Sequence, residues 1–483
     1  MKKVIMAYIL VLAGISSMAQ DKWSLRKMVD YAMQNNISVK QADVQARIAA
    51  LQAKQASLNK YPNANFSPSL GVSFGRSIDP TSNQFTTQQF VSSQYQLQGN
   101  ATIFSFGRLK STEAAAKFSA EAALKDVEKA ANDVALSVAT YYLQVLAANE
   151  QMNISKVQIQ QTTEQLENTK KRVDAGSLPE LNLAELQAQL ATDSSNYISA
   201  KTIFDQNVLS LKGLLNLDAS LPFEVETPDV NIIPIEAFSE LQPEVIYQLA
   251  LKEQPLQQAN ELRIKAAEKS IAASKASLYP TLSGFYSLGS SYNNKQMGPT
   301  GDTSFFQLPT TDPVAKVNIG GTDYNVYPLQ PFQTVAIPNY AKTKYFDQLS
   351  NNFNQGIGIS INVPIFNNGS AKIGYERSKL DLKNMQLQQA QADQTLKLNI
   401  YTAYTNAINA LEKFNAGKKS VESAQKAYDF ASKRYEVGLL STIDLITNQN
   451  NLLRAKIQQL SNQYDYVFKM KLLEFYKGQG LKL

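Results

Sequence analysis

The chain is written twice, so whatever it folds into must hold two colinear copies of one unit. Lys60-Tyr61-Pro62 recurs as Leu278-Tyr279-Pro280, 218 residues later. Phe104-Ser105-Phe106-Gly107 recurs as Phe366-Asn367-Asn368-Gly369 at an offset of 262. Arg172-Val173-Asp174-Ala175-Gly176 returns as Arg434-Tyr435-Glu436-Val437-Gly438 at that same offset, and Leu183 and Gln187 match Leu445 and Gln449. The change of offset places 44 extra residues between the Tyr-Pro and Phe-Gly marks of the second copy. Internal repetition of this kind sets the fold before any local pattern is read. It divides the chain into a first repeat over 20–221, a linker over 222–242 and a second repeat over 243–483. The linker is punctuated by Pro222, Pro228 and Pro234, with Pro243 just beyond.

Each copy has one internal order: a helix leading to Tyr-Pro, two strands, a very long helix, a glycine turn and a returning helix. Leu124, Val127, Ala131, Val134, Val138, Tyr141, Val145, Ala148 and Met152 follow a 3-4 spacing that continues through Ser155, Ile159, Thr162, Leu166, Thr169 and Val173. Leu396, Ile400, Ala403, Ala407, Ala410, Phe414, Val421, Ala424, Tyr428, Ala431 and Tyr435 repeat it in the second copy. Sustained heptads mean coiled-coil-like packing on neighbouring helices. From Arg108 to Val173 such a helix runs about 100 Å. Leu136, Leu143 and Leu146 add a second apolar side. Two-sided seams favour a ring of helices, with a solid rod as the alternative.

After each Tyr-Pro the pattern changes to period two, predicting strands over about 64–76, 94–104, 281–292 and 355–366. Phe66, Leu70, Val72 and Phe74 alternate with Ser67, Ser69, Gly71 and Ser73, and Ile357, Ile359, Ile361, Val363 and Ile365 alternate with Gly356, Gly358, Ser360 and Asn362. Apolar outward and small-polar inward is the pattern of an outer-membrane barrel; a soluble hairpin resting on a core is the alternative. An aqueous barrel takes about eight strands or more, so four strands per chain imply an oligomer. The residues 293–352 between the last two strands read as a long inserted loop with several prolines.

The chain lacks both Cys and His. That removes thiol and Ser-His-Asp chemistry and nearly every transition-metal site, so neither an enzyme nor a bound cofactor is expected. Lys2 and Lys3, the apolar stretch from Val4 to Ile15 and Ser17-Met18-Ala19 form an export leader over 1–19, with Gln20 as the mature start. Beyond it no apolar run is long enough for a membrane-spanning helix, so a membrane would be crossed as strands. Scattered charges, 47 basic and 41 acidic, give no nucleic-acid footprint.

Tyr61-Pro62, Tyr279-Pro280, Asn362-Val363-Pro364-Ile365-Phe366-Asn367-Asn368-Gly369, and Arg434-Tyr435-Glu436-Val437-Gly438 followed by Asp444-Leu445 resemble the TolC family of outer-membrane efflux proteins. The resemblance implies a mainly α protein with a membrane β-barrel part, closing only as a homotrimer. Three chains would supply a twelve-stranded barrel in the outer-membrane lipid and a twelve-helix α-barrel in the periplasm. It also implies a periplasmic adaptor and an inner-membrane pump as partners, and passive conduction of drugs, other small molecules or proteins. The turns Ala175-Gly176-Ser177 and Val437-Gly438-Leu439 match adaptor-docking tips, and simple helix caps would also place glycine there. Asp444 matches an acid that lines the periplasmic constriction, with a plain helix-start Asp as the other reading. The family's next acid is Thr447 here. Tyr435 matches a gating Tyr, whereas the gate's Arg falls at Leu440 and its Asp at Asn182. A periplasmic adaptor or a structural coiled-coil envelope protein are the rival readings; the first would carry one hairpin, the second no strand pairs.

Overall fold

Two helix pairs each occur twice among the described residues, at the spacing of the motifs. In the computed structural model, α1 (Leu25–Asn35) and α2 (Ile37–Leu58) lead into β1 (Asn65–Ser73), β2 (Arg76–Ile78), β3 (Phe85–Thr87) and β4 (Phe90–Phe104). Next come α3 (Arg108–Asp174), α4 (Glu180–Leu214), α5 (Pro243–Glu253) and α6 (Pro255–Ala276). The second strand region comprises β5 (Thr281–Asn293), β6 (Met297–Pro309), β7 (Ala315–Ile319), β8 (Thr322–Val326), β9 (Phe332–Lys342), α7 (Tyr345–Asn351) and β10 (Asn354–Asn362). Helices α8 (Ser370–Glu436) and α9 (Thr442–Tyr476) end it. The structure describes residues 22–478 except 80–82, 88, 229–232, 234–235, 310–311, 328 and 330–331. The leader over 1–19, Gln20, Pro234, Pro328 and Pro331 lie outside the described residues.

Helices α3 and α8 are 67 residues each, and α4 and α9 are 35 each. Such lengths need continuous tertiary support, because an isolated helix draws little stability from propensity alone. One compact unit, formed by residues up to Ala56, Lys110–Ala272 and Ile373–Leu483, supplies it. Leu25, Met28 and Ala32 pack with Val134, Val138, Tyr142, Val145 and Leu146 of α3, Leu211 of α4 and Val467 of α9. The second copy builds the corresponding cluster from Leu241, Ile246, Ala250, Ile400, Ala403, Ala407, Met470 and Leu473. Alanines on these seams let the helix axes approach closely, as shape matching in packed interiors demands. The stretch read as a linker is partly core: Ile233 and Leu241 are buried, and Phe223 and Val225 pack on the first cluster. Outside the seams, Leu380, Leu387, Leu398 and Phe430 of α8 are exposed on the single chain.

The second unit, Ser57–Leu109 and Ala273–Lys372, holds an antiparallel sheet in the order β1-β4-β5-β10. Its register puts Phe66, Leu97, Leu288 and Gln355 in one row and Tyr286 beside Ile357, so the apolar side chains share one face. The opposite face carries Ser67, Gln96, Gly289 and Asn354. No Asp, Glu, Lys or Arg occurs in any of the four strands. The apolar face lies open, with Leu70 77%, Ile357 90% and Ile359 68% exposed. Both edge strands, β1 and β10, have an unpaired outer side. β10 stops at Asn362, short of the predicted strand, because Pro364 cannot donate to a ladder.

The region read as an inserted loop is structured. β6 pairs with β9 and β7 with β8 as separate ribbons, the latter turning through Gly320-Gly321 with φ of 66° and 91°. Positive φ at both central residues is what a tight hairpin turn requires. Pro299, Pro309 and Pro338 fit into β6 and β9 because each strand of a two-stranded ribbon has an outward side needing no donor.

Candidate functional site

The two tips of the long helical hairpins stop by the same device. Gly176, at φ 72°, donates its N–H to Val173 O at 2.8 Å, and Ser177 N–H reaches Arg172 O at 2.9 Å. Gly438, at φ 77°, donates to Tyr435 O at 3.0 Å, and Leu439 N–H reaches Arg434 O at 2.8 Å. Each is a Schellman cap, in which a left-handed residue satisfies carbonyls that the helix end would orphan. The caps leave Ala175, Gly176, Ser177, Val437, Gly438 and Leu439 exposed. Leu181 and Ile443, at matching places on the first turns of α4 and α9, are exposed too, at 65% and 60%. Apolar side chains bared together at a turn mark a contact surface more often than chance scatter does.

Behind the second tip sits Tyr435, only 8% exposed, packed with Ala431 and Leu445. Its hydroxyl is 2.9 Å from Thr169 Oγ1 of α3 and 3.5 Å from Thr442 Oγ1 of α9. The Arg172 guanidinium lies 5.8 Å from the Tyr435 ring and donates to its carbonyl at 3.4 Å. Tyr435 thus ties the first repeat to the second through Thr169 and Arg172. Asn182 is half-buried near the start of α4, where its N–H donates to Pro179 O at 3.2 Å, and it takes no part in the Tyr435 contacts. One turn earlier, Gln165 donates to the Tyr428 hydroxyl at 2.9 Å. Burial raises the Tyr428 pKa above its usual value, although the Gln165 bond works the other way.

Asp444 is exposed on the first turn of α9. Ser441 Oγ donates to its carboxylate at 2.6 Å, and Asp444 N–H returns to Ser441 Oγ at 3.2 Å. Ser441 is thus the N-cap of α9, and the carboxylate also meets the positive end of the helix dipole. In a single chain, Asp444 therefore already serves the helix start. Its exposed carboxylate keeps lone pairs free for solvent or a cation. Thr447, about one turn further on, bonds Ile443 O at 2.7 Å and offers no charge.

Sequence reasoning missed a polar cluster further up the hairpin. Asp193, 1% exposed, accepts from Thr162 Oγ1 at 2.6 Å and from Gln189 Nε2 at 2.8 Å. Gln449 Nε2 donates to Thr162 Oγ1 at 3.1 Å, and Gln189 and Asn450 exchange bonds at 3.1 and 3.2 Å. A buried carboxylate is tolerated only with such donors around it. Thr162 and Thr169 occupying apolar seam positions were the available signal: a hydroxyl at a core position asks for a partner.

Among the described residues no group of His, Cys, Asp or Glu could hold a metal ion. No described helix is long and apolar enough to cross a membrane.

The sequence pattern of the family described as "Outer membrane efflux protein" matches residues 29–217 and 246–476. Outer membrane protein TolC of Escherichia coli (strain K12) is 22% identical over 332 residues, covering 69% of this chain and 58% of that protein. The chain thus spans less than two thirds of that relative's length. Toxin and drug export protein A of Aggregatibacter actinomycetemcomitans is 19% identical, over 92% of this chain and 83% of its own. The solved structure of CusC superposes with a TM-score of 0.73 at 15% identity, covering 94% of this chain and 92% of that one. The Campylobacter jejuni CmeC outer membrane channel superposes at 0.70 and 19% identity, covering 95% and 86%. The fold is shared with these structures; in this chain it is mainly helical, with a four-stranded sheet open at both edges among the described residues.

Proposed function

Because the chain belongs to the outer membrane efflux protein family, we propose that it is one third of a homotrimeric exit duct. In this reading residues 1–19 direct export, and two repeats, 20–221 and 243–483, build the duct. The observation that carries it is the sheet: four uncharged strands with an exposed apolar face and two unpaired edges. In lipid each unpaired backbone group costs several kcal/mol, so such a sheet persists only where its edges are closed. Alternation along β1-β4-β5-β10 leaves β10 antiparallel to the next copy's β1, and three copies close twelve strands around the polar face. The long helices would line a conduit continuing into the periplasm, where the tips meet an adaptor and, through it, an inner-membrane pump. Conduction is passive, and no catalytic step is assigned.

Asp444 lines the narrow end of this conduit as a ring of three carboxylates. Like charges around one axis attract cations, and the attraction weakens with salt. With Thr447 in place of a second acid, one ring is expected. Single-channel recording in planar bilayers tests this, with a trivalent cation added on the periplasmic side. Asp444→Asn is expected to weaken block by roughly tenfold or more, three charges being lost at once. Unchanged block would put Asp444 on an outer surface, with only its role at the helix start left.

A further inference from the structure

The extra residues of the second copy do not all lead away from the sheet: α7 folds back on its apolar face. Tyr95 and Tyr292 share that face with Leu97 and Leu288, since side chains two apart along a strand point the same way. Tyr345 of α7 places its hydroxyl 2.7 Å from the Tyr95 hydroxyl and its ring 4.8 Å from the Tyr292 ring. Ser290 Oγ, on the same face, donates to Leu349 O at 2.6 Å. Gln348 is fully buried: its Oε1 accepts from Asn293 N–H at 2.9 Å, and its Nε2 donates to Asn293 O and Thr343 O, each at 3.0 Å. Asn352 Nδ2 donates to Ser291 O at 2.7 Å. Residues 345, 348, 349 and 352 form one helical face, and it is clamped to the end of β5 farthest from the Tyr279-Pro280 junction.

The other face of α7 points away from the sheet. Phe346 is 80% exposed, its ring set edge-on to Tyr345 at 5.3 Å, and Phe353 just beyond the helix is 55% exposed. Lys342 and Lys344, before the first turn, are exposed as well. We propose that α7 is an interfacial anchor, with Phe346 seated in lipid at the rim of the barrel and Lys342 and Lys344 against the phosphates of anionic lipid. The inference rests on the barrel reading, because the face that α7 continues is lipid-facing only in a closed barrel. Continuity with that face selects lipid as the occupant. Aromatic side chains with basic neighbours are the pattern that settles at a membrane–water boundary.

The test uses the full-length trimer in vesicles of mixed phosphatidylcholine and phosphatidylglycerol. Trp23 is the one native tryptophan, so a Trp23→Phe background allows single reporters at chosen sites. Phe346→Trp is expected to lose roughly half its emission to lipid brominated near the headgroup, and less to lipid brominated near the chain end. Ile359→Trp, on the exposed apolar face, should be quenched from the chain end, and Gln96→Trp, on the polar face, by neither. If Ile359→Trp is quenched and Phe346→Trp is not, the anchor is overturned while the barrel stands. A blue-shifted but unquenched Phe346→Trp also overturns it, because protein rather than lipid then covers the ring. If Ile359→Trp itself escapes quenching, the barrel reading fails and takes the anchor with it. Changing Lys342 and Lys344 to Gln should remove the extra quenching that anionic lipid brings; unchanged quenching would overturn the phosphate contact.

Discussion

Gly99→Val is expected to abolish the membrane-embedded trimer. Gly99 lies in β4 where the Tyr61-Pro62 junction crosses the sheet. A Cβ there would stand 2.0 Å from Asn63 O and 2.7 Å from the Tyr286 hydroxyl. The first neighbour is backbone and is itself held on three sides. Asn63 N–H donates to Asn100 O at 3.0 Å, Asn100 N–H donates to Asn63 Oδ1 at 2.7 Å, and the Tyr286 hydroxyl donates to Asn63 O at 3.2 Å. Overpacking alone costs about 1–3 kcal/mol, and displacing Asn63 leaves further groups unpaired at a sheet meant for lipid. Gly71→Ala is the control, since nothing lies within 4 Å of the added carbon. Mass measurement in detergent is expected to give three chains for the native protein and for Gly71→Ala, and dissociated or aggregated chains for Gly99→Val. Native-like trimers of Gly99→Val would show that the junction is not needed for closure, and a stable native monomer would sink the trimeric reading itself.

Gly438→Trp is expected to stop export while trimers still form. The residue has φ 77° at an exposed tip, and among the described residues, its chain neighbours aside, an added Cβ would meet nothing nearer than the Arg172 guanidinium at 4.0 Å. A side chain therefore has room, and the local cost is left-handed strain of roughly 1–2 kcal/mol. Set against the cores that hold α8 along its length, that strain does not threaten the fold. The ring would, however, stand among Val437, Leu439 and Ile443, where an adaptor would have to seat. Losing one central contact of such a surface costs about 2 kcal/mol or more, roughly thirtyfold in affinity. Gly438→Ala separates the effects, carrying the same strain with almost no bulk. Export of a pump substrate from whole cells, with trimer yield measured in parallel, distinguishes the outcomes. Loss with Trp but not Ala supports docking at the tip. Normal export by the Trp variant defeats the docking assignment, and loss of trimers would reduce Gly438 to a cap.

The open sheet, the long helices and the duplicated plan were all legible in the residues, because each is written in local signals. Period-two and heptad patterns depend on near neighbours, and a glycine able to adopt positive φ stops a helix wherever it stands. The helix bounds repeat the motif offsets: α1 and α2 return as α5 and α6 after 218 residues, and α3 and α4 as α8 and α9 after 262. Partnerships across long separations were another matter. Tyr435 stood out from its motif, but nothing nearby in sequence announced Thr169 and Arg172, more than 260 positions earlier. Asp193 lay in an unremarkable polar stretch with Gln189 one turn before it, and only the packing of α3, α4 and α9 brought it Thr162, with Gln449 bonded behind that hydroxyl. Prolines and glycines made residues 293–352 read as a loop, since a ribbon's free edges and a helix docked on a sheet exist only once distant strands have paired. Composition and periodicity determined which elements this chain forms and how often; tertiary packing alone decided which side chains meet, because burial and hydrogen bonding reward contacts in space, whatever their distance along the chain.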